Sequence, residues 1–79
     1  MAARRKDAQI MVGLPDGKQF RVTTEETRYK DDLFHTAVEG LTKRGKWEEL
    51  WTFVSKTRRD AHRTHMAAVE DLRRNPPEI

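Results

Sequence analysis

At 79 residues the chain has room for one domain, and a domain this small buries only about 60% of the surface its unfolded chain exposes, which leaves little stability in reserve. Its 35% hydrophobic and 37% charged content is polar for a globular domain, while a net charge of +3, from 16 basic and 13 acidic residues, is too near balance for a chain saturated with positive charge. The lack of cysteine excludes disulfides, thiolate catalysis and cysteine-ligated zinc; no apolar run reaches the roughly 20 residues of a membrane span or forms a signal-peptide core, so a cytoplasmic protein is expected.

Residues 1–7 carry Arg4, Arg5 and Lys6 without apolar periodicity and read as a disordered basic arm. In the stretch that follows, Ile10, Val12 and Leu14 alternate with Gln9, Met11 and Gly13, as Phe20 and Val22 do with Gln19 and Arg21 beyond Pro15-Asp16-Gly17. That is the pattern of a β-hairpin with one apolar face: proline presets the turn, and glycine accepts the left-handed conformation that closes it. A lone hairpin is marginal in water and needs a lid. Thr23 with Glu26 resembles a capping box, and a helix from there to about Lys43 puts Leu33, Phe34, Ala37, Val38 and Leu41 on one side, with Gly45 as its C-cap.

A second helical pattern runs from Lys46 to Asn75 without Gly or Pro, and Pro76 and Pro77 end it. Trp47, Leu50, Trp51 and Val54 form a stripe that continues through Arg58, Ala61, His65, Ala68, Val69 and Leu72. The expected fold is therefore α+β: an N-terminal β-hairpin packed on two helices, the C-terminal one long and amphipathic, forming a single domain over residues 8–75 with 76–79 as a tail. A helix of roughly 29 residues would be about 43 Å long, against about 30 Å for a compact domain of this size. Either its end overhangs, offering Ala61, His65, Ala68 and Leu72 for self-association as a homodimer, or it breaks near Ser55–Thr57 and folds back onto the hairpin.

The polar residues divide into a ridge and several weak constellations. Lys56, Arg59 and Arg63 line up at helical spacing with His62 on the flank, a row that suits phosphates but also suits a solvated helix face. With Arg4, Arg5 and Lys6 it forms a candidate nucleic-acid surface, one that would contact mainly the backbone because no base-reading signature accompanies it. In His62-Arg63-Thr64-His65 two imidazoles sit one turn apart, but no third ligand stands at a recognisable spacing, so neither metal nor cofactor is expected. Asp31-Asp32 and Glu48-Glu49 are sequence neighbours that diverge on a helix, and no hydroxyl has an evident base; an enzyme is not expected.

Phe53 lies about 100° off the Trp47–Val54 stripe and is either covered from a second side or exposed as an anchor for a partner. Together these features point to a small non-catalytic interaction module, an adaptor or inhibitor that presents Phe53, Arg58, Arg59, Arg63 and His65 on its long C-terminal helix to a protein partner whose identity the residues do not name. The competing expectation is a basic, dimeric nucleic-acid-binding protein using Arg4, Arg5, Lys6, Lys56, Arg59 and Arg63.

Overall fold

The computed structural model describes residues 3–28 and 33–78, with side chains from Lys6 to Thr27 and from Leu33 to Glu78. Among the described residues four strands are followed by one helix: β1 (Ala3–Gly13), β2 (Gln19–Arg28), β3 (Leu33–Leu41), β4 (Trp47–Ser55) and α1 (Arg58–Arg74). The strands form one antiparallel sheet in the order β1-β2-β3-β4, so β1 and β4 are its edges. The expected hairpin is present as β1 and β2, but the two helices are not. The first is replaced by the end of β2 and by β3, and the second is a strand up to Ser55. β1 begins at Ala3, inside the stretch expected to be a disordered arm.

Two similar reversals set the hairpins. In Leu14–Lys18 the Gly17 amide donates to the Leu14 carbonyl at 3.0 Å, and the Leu14 amide to that of Lys18 at 2.9 Å; in Thr42–Lys46 the Gly45 amide donates to Thr42 at 2.9 Å and Thr42 to Lys46 at 2.8 Å. Gly17 and Gly45 have φ of 92° and 80°, a region costly for a side chain bearing Cβ. Gly45 therefore closes a β-turn and is not a helix C-cap. The two turns lie at the same end of the sheet.

Burial in β3 alternates strictly, with Phe34, Thr36, Val38 and Gly40 facing α1, and its register pairs them with Glu26, Thr24, Val22 and Phe20 of β2. Strand formation follows from this period of two and from the β-branched content of both segments. The helical spacing seen in Leu33, Phe34, Ala37, Val38 and Leu41 arises because the inward Thr36 is polar while Leu33, Ala37 and Leu41, on the other face, are apolar. In β4 the register shifts between Val38 and Glu39, so that Val38 pairs with Trp51 and Glu39 with Glu49, leaving Leu50 as an extra residue. That bulge interrupts the alternation and imitates a helical stripe in Trp47, Leu50, Trp51 and Val54.

The chain does turn back near Ser55–Thr57, but what ends there is a strand and not the first part of a broken helix, so neither helical alternative is adopted. Ser55 ends β4 in a buried position, and Thr57 caps α1, its hydroxyl accepting from the Asp60 amide at 3.1 Å. The helix then runs back across all four strands and ends at Asn75, ahead of Pro76 and Pro77. Its 17 residues span about 26 Å, close to the length of the strands beneath, so no part of it overhangs. Val69 and Leu72 close the core with Val12, Phe20, Val22 and Val38, while Ile10, Leu14, Leu50 and Ala68 pack at its margin.

Candidate functional site

The inner face of α1 is committed to the sheet. Ala61, His65, Val69 and Leu72 are buried there, and Ala68 is half-buried. The self-association stripe of Ala61, His65, Ala68 and Leu72 thus packs within one copy of the chain, since the break at residues 56–57 turns it toward the sheet's apolar and threonine-lined face.

His65 belongs to a buried polar relay. Its Nδ1 is 2.8 Å from Thr24 Oγ1, which is 2.9 Å from Thr36 Oγ1, so the hydroxyls on β2 and β3 engage one ring nitrogen, while the buried Nε2 has no hydrogen-bond partner among the described residues and adds to the cost of burying the ring. Desolvation by this burial, reinforced by the nearby His62 and partly offset by Asp7, lowers the His65 pKa below its ordinary value of 6.5. With 2% of its surface exposed, His65 cannot be presented to a partner as the sequence suggested.

Arg58 is also a tether. Its guanidinium donates to Glu26 Oε2 at 3.0 Å, lies 3.6 Å from Asp7, and stacks 5.5 Å from the centre of the Phe34 ring. These contacts tie the first turn of α1 to β1, β2 and β3. Beside it, Arg59, His62 and Arg63 line a groove of about 550 Å³ together with Asp7, Ala8 and Thr24, along the β1 edge. Lys56 is exposed in the link before the helix. Lys6 is separated from this row: it hydrogen-bonds Gln9 at 3.4 Å and lines the sheet's open face. Arg4 and Arg5 occupy β1 opposite Thr27 and Glu26, and their side chains lie outside the described residues.

The open face is built around Arg21, which grips Glu39 through two hydrogen bonds of 2.7 and 3.2 Å and covers the Trp47 ring at 4.3 Å. The hydrogen bond to Glu39 raises the Arg21 pKa, with burial opposing it. Gln9, Thr23 and Ala37 share this hollow with Lys6 and with the carboxylates Glu25, Glu39 and Glu49. Three carboxylates against two cations make a poor phosphate surface.

Phe53 is on β4, at the opposite edge of the sheet from the Arg59–Arg63 groove, so the two do not form the single presented surface expected of a long helix. It is 41% exposed, and it has company from the apolar stripe of the sequence reading: Trp51 is 44% exposed and Val54 57%. By register, Trp51 and Phe53 pair with Val38 and Thr36 on the helix-facing side, and Val54 with His35 on the other. From Trp51 to Ser55 this edge strand carries no charge. The signal available beforehand was this uncharged, aromatic and β-branched run, flanked by Glu48-Glu49 and Lys56.

Among the described residues no group of three His, Cys, Asp or Glu side chains could hold a metal ion, and no helix is long and apolar enough to cross a membrane. No protein-family model matches the chain, and neither a curated protein nor a solved structure is significantly similar to it.

Proposed function

We propose that this chain is a small non-catalytic interaction module, an adaptor or inhibitor, that meets its protein partner with the free edge of β4. The observation that carries this reading is the coincidence of Trp51, Phe53 and Val54, all more than two-fifths exposed, with an edge strand. An edge offers unpaired backbone donors and acceptors, and aromatic anchors beside it supply the apolar burial that dominates interfaces. The test is capture of a partner by immobilised protein. Capture should be lost in a Trp51→Ser/Phe53→Ser variant and retained in Arg59→Ala/Arg63→Ala; the reverse pattern would overturn the reading.

A second reading is supported by the groove along β1. Arg59 and Arg63, with His62 between them as a further hydrogen-bond donor, form a basic row there, Arg58 being largely occupied by Glu26 and Asp7, and such a row suits nucleic-acid phosphates. On this reading an electrophoretic titration against duplex DNA shows affinity falling steeply with salt, and Arg59→Ala/Arg63→Ala reduces the logarithmic salt slope by about two. Binding unaffected by that variant would remove it.

A further inference from the structure

The two edges of the sheet are guarded differently. β1 carries Arg4, Arg5, Lys6 and Asp7 in succession, and its register shifts between Lys6 and Ala8. Consecutive charges and a bulge are the devices by which natural sheets keep an edge from pairing with another chain. β4 has its bulge at Leu50, but the five residues after it, Trp51-Thr52-Phe53-Val54-Ser55, are uncharged, rich in β-formers and free of proline. In a chain that spends charge so freely, this edge is left open.

The charges at its two ends indicate what covers it. Glu48 and Glu49 stand at the start of β4, and Lys56 follows its end. A strand with an acidic beginning and a basic end complements a second copy of itself when the two run antiparallel, because each Glu48-Glu49 pair then faces the other copy's Lys56. Parallel pairing would set like charge against like. Antiparallel alignment centred on Thr52 also brings Trp51 of one copy opposite Phe53 of the other, on the side of the sheet where the register places both.

Resting on the β4 reading above, we infer that the occupant of this edge is a second copy of the chain. Two sheets join through antiparallel β4–β4 pairing into one continuous eight-stranded sheet with twofold symmetry. Isologous pairing closes the assembly at two, because the guarded β1 edges become its outer rims. The surface differs from the helix stripe the sequence suggested: it uses Trp51, Thr52 and Phe53 and leaves Leu72 in the core.

Sedimentation velocity over a hundredfold range of protein concentration tests the inference. The wild type should show a concentration-dependent dimer, and Phe53→Lys, at an exposed position, should sediment as a folded monomer. Lys56→Glu should raise the dissociation constant by roughly tenfold, since each reversal replaces an attraction with a repulsion at both symmetric ends. Adding Glu48→Lys and Glu49→Lys to it should restore affinity to within about threefold of the wild type, the signature of antiparallel pairing. A wild type that stays monomeric throughout overturns the second-copy inference. The broader β4 reading then stands or falls separately, on whether Trp51→Ser/Phe53→Ser abolishes binding to a different protein. A dimer indifferent to Phe53→Lys and to the charge reversals would overturn the β4–β4 inference as well.

Discussion

Replacing Leu72 by alanine and Phe53 by serine separates the two halves of this account, because both residues are large and apolar yet their surroundings differ. Leu72 is 2% exposed and packs in the cluster of Val12, Phe20, Val22, Val38 and Val69. Truncating such a leucine costs about 2–5 kcal/mol, from lost transfer energy and from the cavity left behind. A domain of this length has only about 4–12 kcal/mol of stability in total, and each kcal/mol moves the melting temperature by about 4–8 °C. Leu72→Ala should therefore melt at least about 8 °C below the wild type, and Leu72→Asp should fail to fold. Phe53, on an exposed edge, loses little intramolecular packing, so Phe53→Ser should cost no more than about 1 kcal/mol. Urea unfolding followed by circular dichroism in dilute solution, where dimerisation adds nothing, measures both. The reasoning is refuted if Leu72→Ala keeps the wild-type midpoint, or if Phe53→Ser falls as far as Leu72→Ala does.

Two further effects are expected. Because the His65 pKa is lowered in the folded state, the unfolded chain binds the proton more readily; stability from this residue is intact above pH 6.5 and falls as the pH drops below it. The fall should be shallower in His65→Gln, and equal slopes in urea midpoints between pH 7 and 5 would remove the burial argument. Arg58→Ala should cost on the order of 1 kcal/mol through loss of the bonds to Glu26 and Asp7, whereas Arg59→Ala should change stability by less than about 0.5 kcal/mol. Equal costs in denaturant titrations would contradict the division between a tether and a free groove residue.

The first hairpin is legible in the sequence because its inward residues, Ile10, Val12, Phe20 and Val22, are apolar and Pro15-Asp16-Gly17 names the turn. The second is concealed for two physical reasons. At β3 the inward threonine Thr36 is buried not by hydrophobicity but by the hydroxyl chain through Thr24 to His65, a partnership across 41 residues that no local pattern reveals. At β4 the Leu50 bulge shifts the phase of the alternation, so an edge strand presents the spacing of an amphipathic helix. The recurrence of Gly-Lys closing both Leu14–Lys18 and Thr42–Lys46 was the local clue that the two hairpins are alike.

The site was legible only in parts. Phe53 falls off the stripe in the sequence and is exposed; Trp51 and Val54 fall on the stripe and are exposed as well. Arg59 and Arg63 do share a groove. Arg58 and His65, which seemed to interrupt an apolar surface offered to a partner, instead complete the joint between helix and sheet, a role visible only once Glu26 and Thr24 are brought beneath them.

A single introduced cysteine tests the central claim most directly, since the chain has none of its own. Thr52→Cys lies in the uncharged stretch of β4, and Met11→Cys, also exposed, lies on the guarded edge β1. Under mild oxidation the Thr52→Cys protein should convert rapidly to a covalent dimer that keeps the wild-type circular dichroism, while Met11→Cys stays monomeric. Equal and slow conversion of both variants, as expected of random collision, would contradict the pairing of β4 with its copy.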